Sequence, residues 1–339
     1  MMPTDLREAV HVVLAVCKDP LAALGEPDKR IFWPHLLVSA IVVAVVWGRG
    51  RRGVSLRSAL ASPALWLHRS ARVDYVLFFL RGLLRVTVFA PFAFAAVPLA
   101  ARLAASLRHA LGSSPFASVS PAIAMGVFTA ALFIVEDASR FVFHLASHRV
   151  GWLWELHKVH HSAEVLTPFT LYRLHPVEGL LNRARGTLTT AFVAGVCAWI
   201  FPGKVQAFEI LGVDALGFVW SLAGSNLRHS HVWISYGPRL ERWLLSPAQH
   251  QIHHSVEARH HDRNFGTALA LWDRLFGSLY VPAGREHVTV GLDAREFPPG
   301  AGALALISIP VWRAFLQVVP RPRREASAAG ATSVGSVAR

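Results

Sequence analysis

Thirteen of the chain's 18 histidines fall between His144 and His261, and their spacing is regular. His144 and His148 stand four apart. His157, His160 and His161 form H-x-x-H-H, and His250, His253 and His254 repeat it. On a helix, positions three and four apart share a face, with i and i+4 separated by only about 40°. Each set can therefore converge on one point. Neutral imidazole is a ligand for zinc, copper, iron and nickel. One tetrahedral zinc takes about four ligands, so eight imidazoles imply two metals, each leaving room for a small molecule. Any single pair has an ordinary reading as packing or a helix-end charge; two triplets and a pair on one side of a membrane do not. The sequence contains no H-E-x-x-H, no G-x-S-x-G and no P-loop, so zinc-protease, serine-hydrolase and NTPase chemistry lack their residues. No nucleotide or flavin site is read, and electrons must come from elsewhere.

The elements that position these residues are apolar. Hydrophobic residues make up 53% of the 339 and charged residues 16%, against roughly a quarter charged in soluble domains. Mean hydropathy is +0.39. Two cysteines, Cys17 and Cys197, exclude a disulfide-stapled domain. Runs free or nearly free of charge cover Ile31–Gly48, Val86–Ala101, His109–Val135 and Gly186–Gly203. A weaker fifth, Val205–Leu227, carries Glu209 and Asp214. About 20 apolar residues cross a bilayer as helix. The second to fourth runs meet that, the first and fifth are marginal, and the competing reading is buried helices of a large soluble core.

Arginine placement orients the spans. Arg49, Arg51, Arg52, Arg57, Arg69, Arg72, Arg81 and Arg85 separate the first two runs, opposed only by Asp74. The positive-inside rule puts this stretch in the cytoplasm, and with it Glu136–Arg185 and Arg228–Val281. The net charge of +13, set beside apolar runs, favours lipid headgroups over nucleic acid. No cleavable signal peptide is read in residues 1–30, where acidic residues interrupt short apolar stretches. Gly302–Val319, with Pro310 and Arg313 inside, reads as a helix lying on a membrane surface. A disordered tail is expected over 320–339.

The three clusters, together with Leu153-Trp154-Glu155-Leu156-His157-Lys158-Val159-His160-His161-Ser162, Arg173-Leu174-His175-Pro176-Val177-Glu178, Asn264-Phe265-Gly266 and Leu271-Trp272-Asp273-Arg274-Leu275-Phe276-Gly277, resemble the fatty acid hydroxylase and sterol desaturase superfamily over about residues 125–295. The resemblance implies a membrane-bound, non-haem di-iron enzyme whose histidine-rich cap faces the cytoplasm. Such enzymes use O2 and two electrons to hydroxylate or desaturate a C–H position of a lipid. The eight box histidines carry over as iron ligands. Two departures stand out: Leu145 replaces the arginine often found in the first box, and Gly224-Ser225-Asn226 stands where the family often has a further ligand histidine. His229 is the choice for a ninth ligand, with His231 and His175 as further candidates. Ligating imidazoles usually donate their second N–H to a carboxylate or carbonyl. Asp137, two turns before His144, and Asp273 are favoured for that work, Glu178 and Asp262 less so. Asn264 joins Asp137 and Asp273 as a candidate site residue. His260, His261 and His287 have an equally good reading as surface residues, and His11, His35, His68 and His109 lie outside the motifs.

The expected fold is all-α: a membrane bundle of four or five spans with a helical cytoplasmic cap. Residues 1–120 would form an N-terminal membrane and arginine-rich region, 121–300 the catalytic domain, 301–319 the surface helix and 320–339 the tail. The expected cofactors are two iron ions, replaceable by zinc in recombinant protein, with O2 as co-substrate. Partners would be a membrane lipid and an external reductase. The alternative is a non-redox zinc-binding or metal-transporting protein; transport predicts ionisable residues along the spans, and none follows His109 up to Val135. All eight box histidines are present, which argues against a lipid-binding relic without catalysis.

Overall fold

The computed structural model of the chain describes residues 22, 24–26, 31–50, 62–206, 209–210, 213–223 and 225–319. The expected tail at 320–339, His11, Cys17 and Arg51, Arg52 and Arg57 lie outside them. The regular elements among the described residues are helices apart from one four-residue strand pair. The α-helices of five or more residues are α1 (Trp33–Gly50), α2 (Arg69–Thr87), α3 (Ala90–Leu111), α4 (Pro121–Arg149), α5 (Gly151–His161), α6 (Pro176–Ile200), α7 (Ala215–Leu222), α8 (Pro247–His253), α9 (Leu271–Leu275) and α10 (Ala303–Val318), with one further turn of helix at Pro63–Trp66.

Local chemistry starts the helices that carry the site. Proline opens α4, α6 and α8 in the first turn, where its missing N–H is no loss. The residue before each caps it: Ser120 accepts from Ile123 N, His175 from Val177 N, and Ser246 from Gln249 N. Gln249 returns the bond to Ser246 N, completing a capping box.

Among the described residues, one helix is both long and apolar enough to cross a membrane: α4, with 29 residues, or about 43 Å at 1.5 Å per residue. It packs with α6 around Ala124, Phe128, Val193, Cys197 and Phe201, and α6 packs in turn with α3. Gly195 lets α3 and α6 approach, since a Cβ there would sit 2.9 Å from Ala100 O and from Leu103. At the end away from the histidines, Trp199 donates to Gly112 O and Ser114 to Ile200 O, tying the two connections together. Nearer the histidines, Arg185 and Arg140 both bond Glu136, at 3.0 and 2.8 Å. The apolar part of α4 ends at this charged layer.

The return from α6 differs from the expected fifth span. Val205–Leu227 is not one helix. Its described part holds a strand pair, β1 (Glu209–Ile210) with β2 (Val213–Asp214), antiparallel with Glu209 opposite Asp214, followed by the eight-residue α7. Two acids within six positions make a continuous lipid-crossing helix costly. One sequence pattern also needs its context: Gly48-Arg49-Gly50-Arg51-Arg52-Gly53 spells G-x-G-x-x-G, but it starts inside the last turn of α1. A dinucleotide site needs a strand before that pattern and a helix after it.

α10 lies on α5, burying Leu306, Pro310 and Ala314, spaced four apart, while Leu304, Val311, Trp312 and Phe315 remain exposed.

Candidate metal centre

The histidines come together from four parts of the chain: the end of α4, all of α5's last turns, the 3-10 turn Ser225–His229, and α8 with the residue that ends it. They divide into two groups. His144, His148, His157, His161 and His253 form one and His160, His229, His250 and His254 the other, each with ligand nitrogens within 4.8 Å of one another. The groups touch, with the rings of His161 and His254 4.7 Å apart and those of His157 and His160 5.4 Å.

This corrects the expectation that each box converges on one point. His157 and His161, four apart, stay together, and so do His250 and His254. The i+3 member, His160 or His253, goes to the other group. Positions i+3 and i+4 lie about 100° apart around a helix, so a box wedged between two sites serves both. His229 joins the second group, its Nε2 lying 3.2 Å from His160 Nε2 and 2.9 Å from His250 Nε2. His231 is exposed and outside both groups. His175 is outside as well: its Nδ1 caps α6 and its Nε2 donates to Ile307 O at 3.0 Å.

Outer contacts fix which nitrogen faces inward. His144 Nδ1 donates to Phe265 O at 2.7 Å, His253 Nδ1 to Arg263 O at 2.8 Å, and His157 Nδ1 to Glu178 Oε1 at 2.7 Å. With Nδ1 carrying the proton, Nε2 presents a lone pair. The Nε2 atoms of all five histidines in the first group are buried without a hydrogen-bond partner. Lone pairs crowded together repel unless a cation lies between them. In the second group, His250 Nδ1 and both nitrogens of His254 are likewise buried and unpartnered. Burial, with neighbouring imidazoles second, holds His160, His161, His250 and His254 well below the usual histidine range, and burial holds His253 at about 3. All are neutral near pH 7, the form that binds metal. The donor set fits two metal ions. Trp154 and Phe265 cover the rings of His148 at 5.0 Å each.

The carboxylates are distributed differently from the expectation. Glu178, the less favoured, is the one bonded to a ligand imidazole. Asp137 accepts instead from Ala268 N, Leu269 N and Trp272 Nε1 at 2.9–3.0 Å, clamping the loop before α9 onto α4. Asp273 accepts from Phe265 N, Gly266 N and Ser278 Oγ, and so holds the carbonyl that orients His144. Burial pushes its carboxyl up from the usual range, against these bonds. Asn264, at φ 58°, donates to Gln249 O and accepts from Tyr280 N, which seats α8. Asp262 pairs with Arg149 at 3.6 Å on the surface. His261 and His287 are exposed, but His260 is buried, bonded to Glu286 and edge-on to Tyr280. His35 is buried between Phe32 and Phe218, His68 caps α2, and neither joins the metal groups.

Sequence reasoning missed several supporting residues. Gln251 donates to Ser230 O and Val232 O, fixing the turn that presents His229. Arg228, pushed by burial down to about 10, donates to Ser225 O and Thr267 O. Gln249 and Gln251 flank His250 inside the third box, and that position was the available signal.

Comparisons with known proteins cover the same stretch of the chain. The fatty acid hydroxylase family model matches residues 129–278, which contain all nine clustered histidines. Human alkylglycerol monooxygenase is 28% identical over 160 residues, 47% of this chain and 32% of that protein. The ornithine lipid hydroxylase of Rhizobium tropici is 26% identical over 181 residues, 53% of this chain and 49% of that one. Lathosterol oxidase of Mus musculus is 27% identical over 157 residues, 46% and 45% respectively. The chain thus spans a third to a half of the length of these relatives. No solved structure matches it.

Proposed function

We propose that this member of the fatty acid hydroxylase and sterol desaturase superfamily, through its residues 129–278, is a membrane-bound non-haem di-iron oxygenase acting on a lipid. The observation that carries the reading is the five-and-four division of nine clustered imidazoles. His144, His148, His157, His161 and His253 would hold one iron, and His160, His229, His250 and His254 the other. Bound there, the pair would supply the redox chemistry by which a C–H bond, O2, two electrons and two protons give an alcohol and water, or an alkene and two waters. The protein's part is to keep the imidazoles neutral, aim them through Phe265 O, Arg263 O and Glu178, and keep water away with Trp154 and Phe265.

The relatives' names share a lipid substrate: an alkylglycerol, an ornithine lipid, lathosterol. A lipid chain would lie among α3, α4 and α6, with its reacting carbon delivered to the histidines on the cytoplasmic side. α10 would rest on the membrane surface by its exposed face, and an external reductase would supply electrons.

Iron-loaded protein should contain about two irons per chain, and lipid extracts from cells with and without the gene should differ by one oxygen or two hydrogens in one lipid class. One iron or fewer at full occupancy overturns the dinuclear centre, and unchanged lipids in a competent host overturn the activity. Zinc in both positions after recombinant expression, with no lipid change after iron reloading, would favour the non-redox alternative. Topology has its own test. Single cysteines at Glu164 and Arg239 should label from the cytoplasm, and those at Ser113 and Lys204 from outside. Opposite-side labelling of Glu164 and Arg239 would separate the boxes.

A further inference from the structure

Between Arg49 and Arg85 the chain has eight arginines and a single acid, Asp74. That acid is not on the surface. It is 0% exposed on α2, outside residues 129–278. Its Oδ1 accepts from Arg173 Nη1 at 2.8 Å and its Oδ2 from Thr170 Oγ1 at 2.8 Å.

Arg173 is buried too, and all of its guanidinium nitrogens are engaged. Nε donates to Val159 O at 3.0 Å, Nη2 to Ser162 O at 3.2 Å, and Nη1 also to Ser70 O at 3.1 Å. Val159 and Ser162 bracket His160 and His161 at the end of α5. The last carbonyls of a helix have no partner within it, and a basic side chain can supply one. The backbone carbonyl of the same arginine accepts from His160 Nδ1 at 3.3 Å. Arg173 therefore grips the backbone on both sides of His160 and its ring from behind. A buried guanidinium needs a buried counter-charge, and Asp74 is the one it has.

We propose that Asp74 is a positioning residue of the four-histidine group, acting through Arg173 to hold His160 on its metal. The inference rests on the metal-centre reading above and extends it to the arginine-rich N-terminal region. His160, whose Nδ1 donates to Arg173 O, is the member through which this clamp reaches that group.

The full chain, loaded with iron in detergent, tests it. Iron release to a chelator is followed over time, and melting is measured with and without metal. Asp74→Asn should speed release of the iron held by the four-histidine group by about tenfold or more, leave the other half slow, and narrow the gap between loaded and metal-free melting temperatures. A purely structural role would lower both melting temperatures alike and leave release unchanged, overturning the proposal. The double variant Asp74→Asn/Arg173→Met, which leaves no buried charge, guards against simple misfolding. It should regain metal-free stability yet still release that iron quickly, and wild-type release from it overturns the proposal. A wild-type chain that takes up no metal overturns the centre itself and this inference with it. Two firmly held irons in both wild type and Asp74→Asn overturn the inference alone.

Discussion

The two histidine groups are built by opposite means. The five-histidine group takes four of its members from α4 and α5, which follow each other directly, and three of its rings are braced from outside by Phe265 O, Arg263 O and Glu178. The four-histidine group has one residue from α5, one from a 3-10 turn, one from the short α8 and one, His254, from the position that ends it, with His160 Nδ1 3.3 Å from Arg173 O. Helical continuity orients the first group. The second depends on segments far apart in sequence, held by Arg173, Gln251 and Asn264. The lesson is that equal imidazole chemistry can rest on unequal scaffolding.

The most damaging break in that comparison is His229→Ala, which leaves three ligands in the weaker group. It should reduce iron from about two to about one per chain and abolish lipid oxidation, while His231→Ala changes neither. Retention of both irons in His229→Ala and their loss in His231→Ala would exchange the assignments. Next comes Glu178→Gln, which keeps the shape but removes the carboxylate behind His157. A loss of roughly 10–100-fold in metal affinity is expected, confined to the five-histidine group. Chelator competition measures it, and an effect on the four-histidine group instead would break the contrast.

Acid should act on both groups in the metal-free protein. His160, His161, His250 and His254 are held well below the ordinary range and His253 at about 3, whereas unfolded imidazoles protonate from about pH 6.5 downward. The unfolded state then binds more protons. Stability is full above about 6.5 and falls as pH drops toward 3, by up to about 1.4 kcal/mol per pH unit for each such histidine. Denaturant midpoints between pH 7.5 and 5 would show it, and a flat profile would contradict the burial. The smallest effect expected is from Gly195→Ala at the far end of the bundle. Its Cβ would meet Ala100 O at 2.9 Å, costing about 1–3 kcal/mol by overpacking without altering iron content.

Much of the site could be read from spacing. The eight box histidines enter the two groups, joined by His229, which the family resemblance suggested, and the apolar run His109–Val135 contains the first half of Pro121–Arg149, the one helix of span length and apolarity among the described residues. Periodicity failed where backbone contacts decide. Val205–Leu227 looked apolar enough for a helix but contains β1, β2 and α7. Asp137 sits two turns before His144, as an outer partner should, yet its oxygens go to the backbone around Ala268.

The sequence by itself determined that His157 and His161 share a helical face and that His160 lies about 100° away from His161, because rotation per residue is a local property of the backbone. Only the tertiary structure decided that this angle places one box between two sites, that Glu178 rather than Asp137 or Asp273 backs a ligand, and that Asp74 reaches Arg173 across 99 positions. Those choices depend on which helices pack together, and packing is set by the whole apolar surface that must be buried, not by the spacing within any one segment.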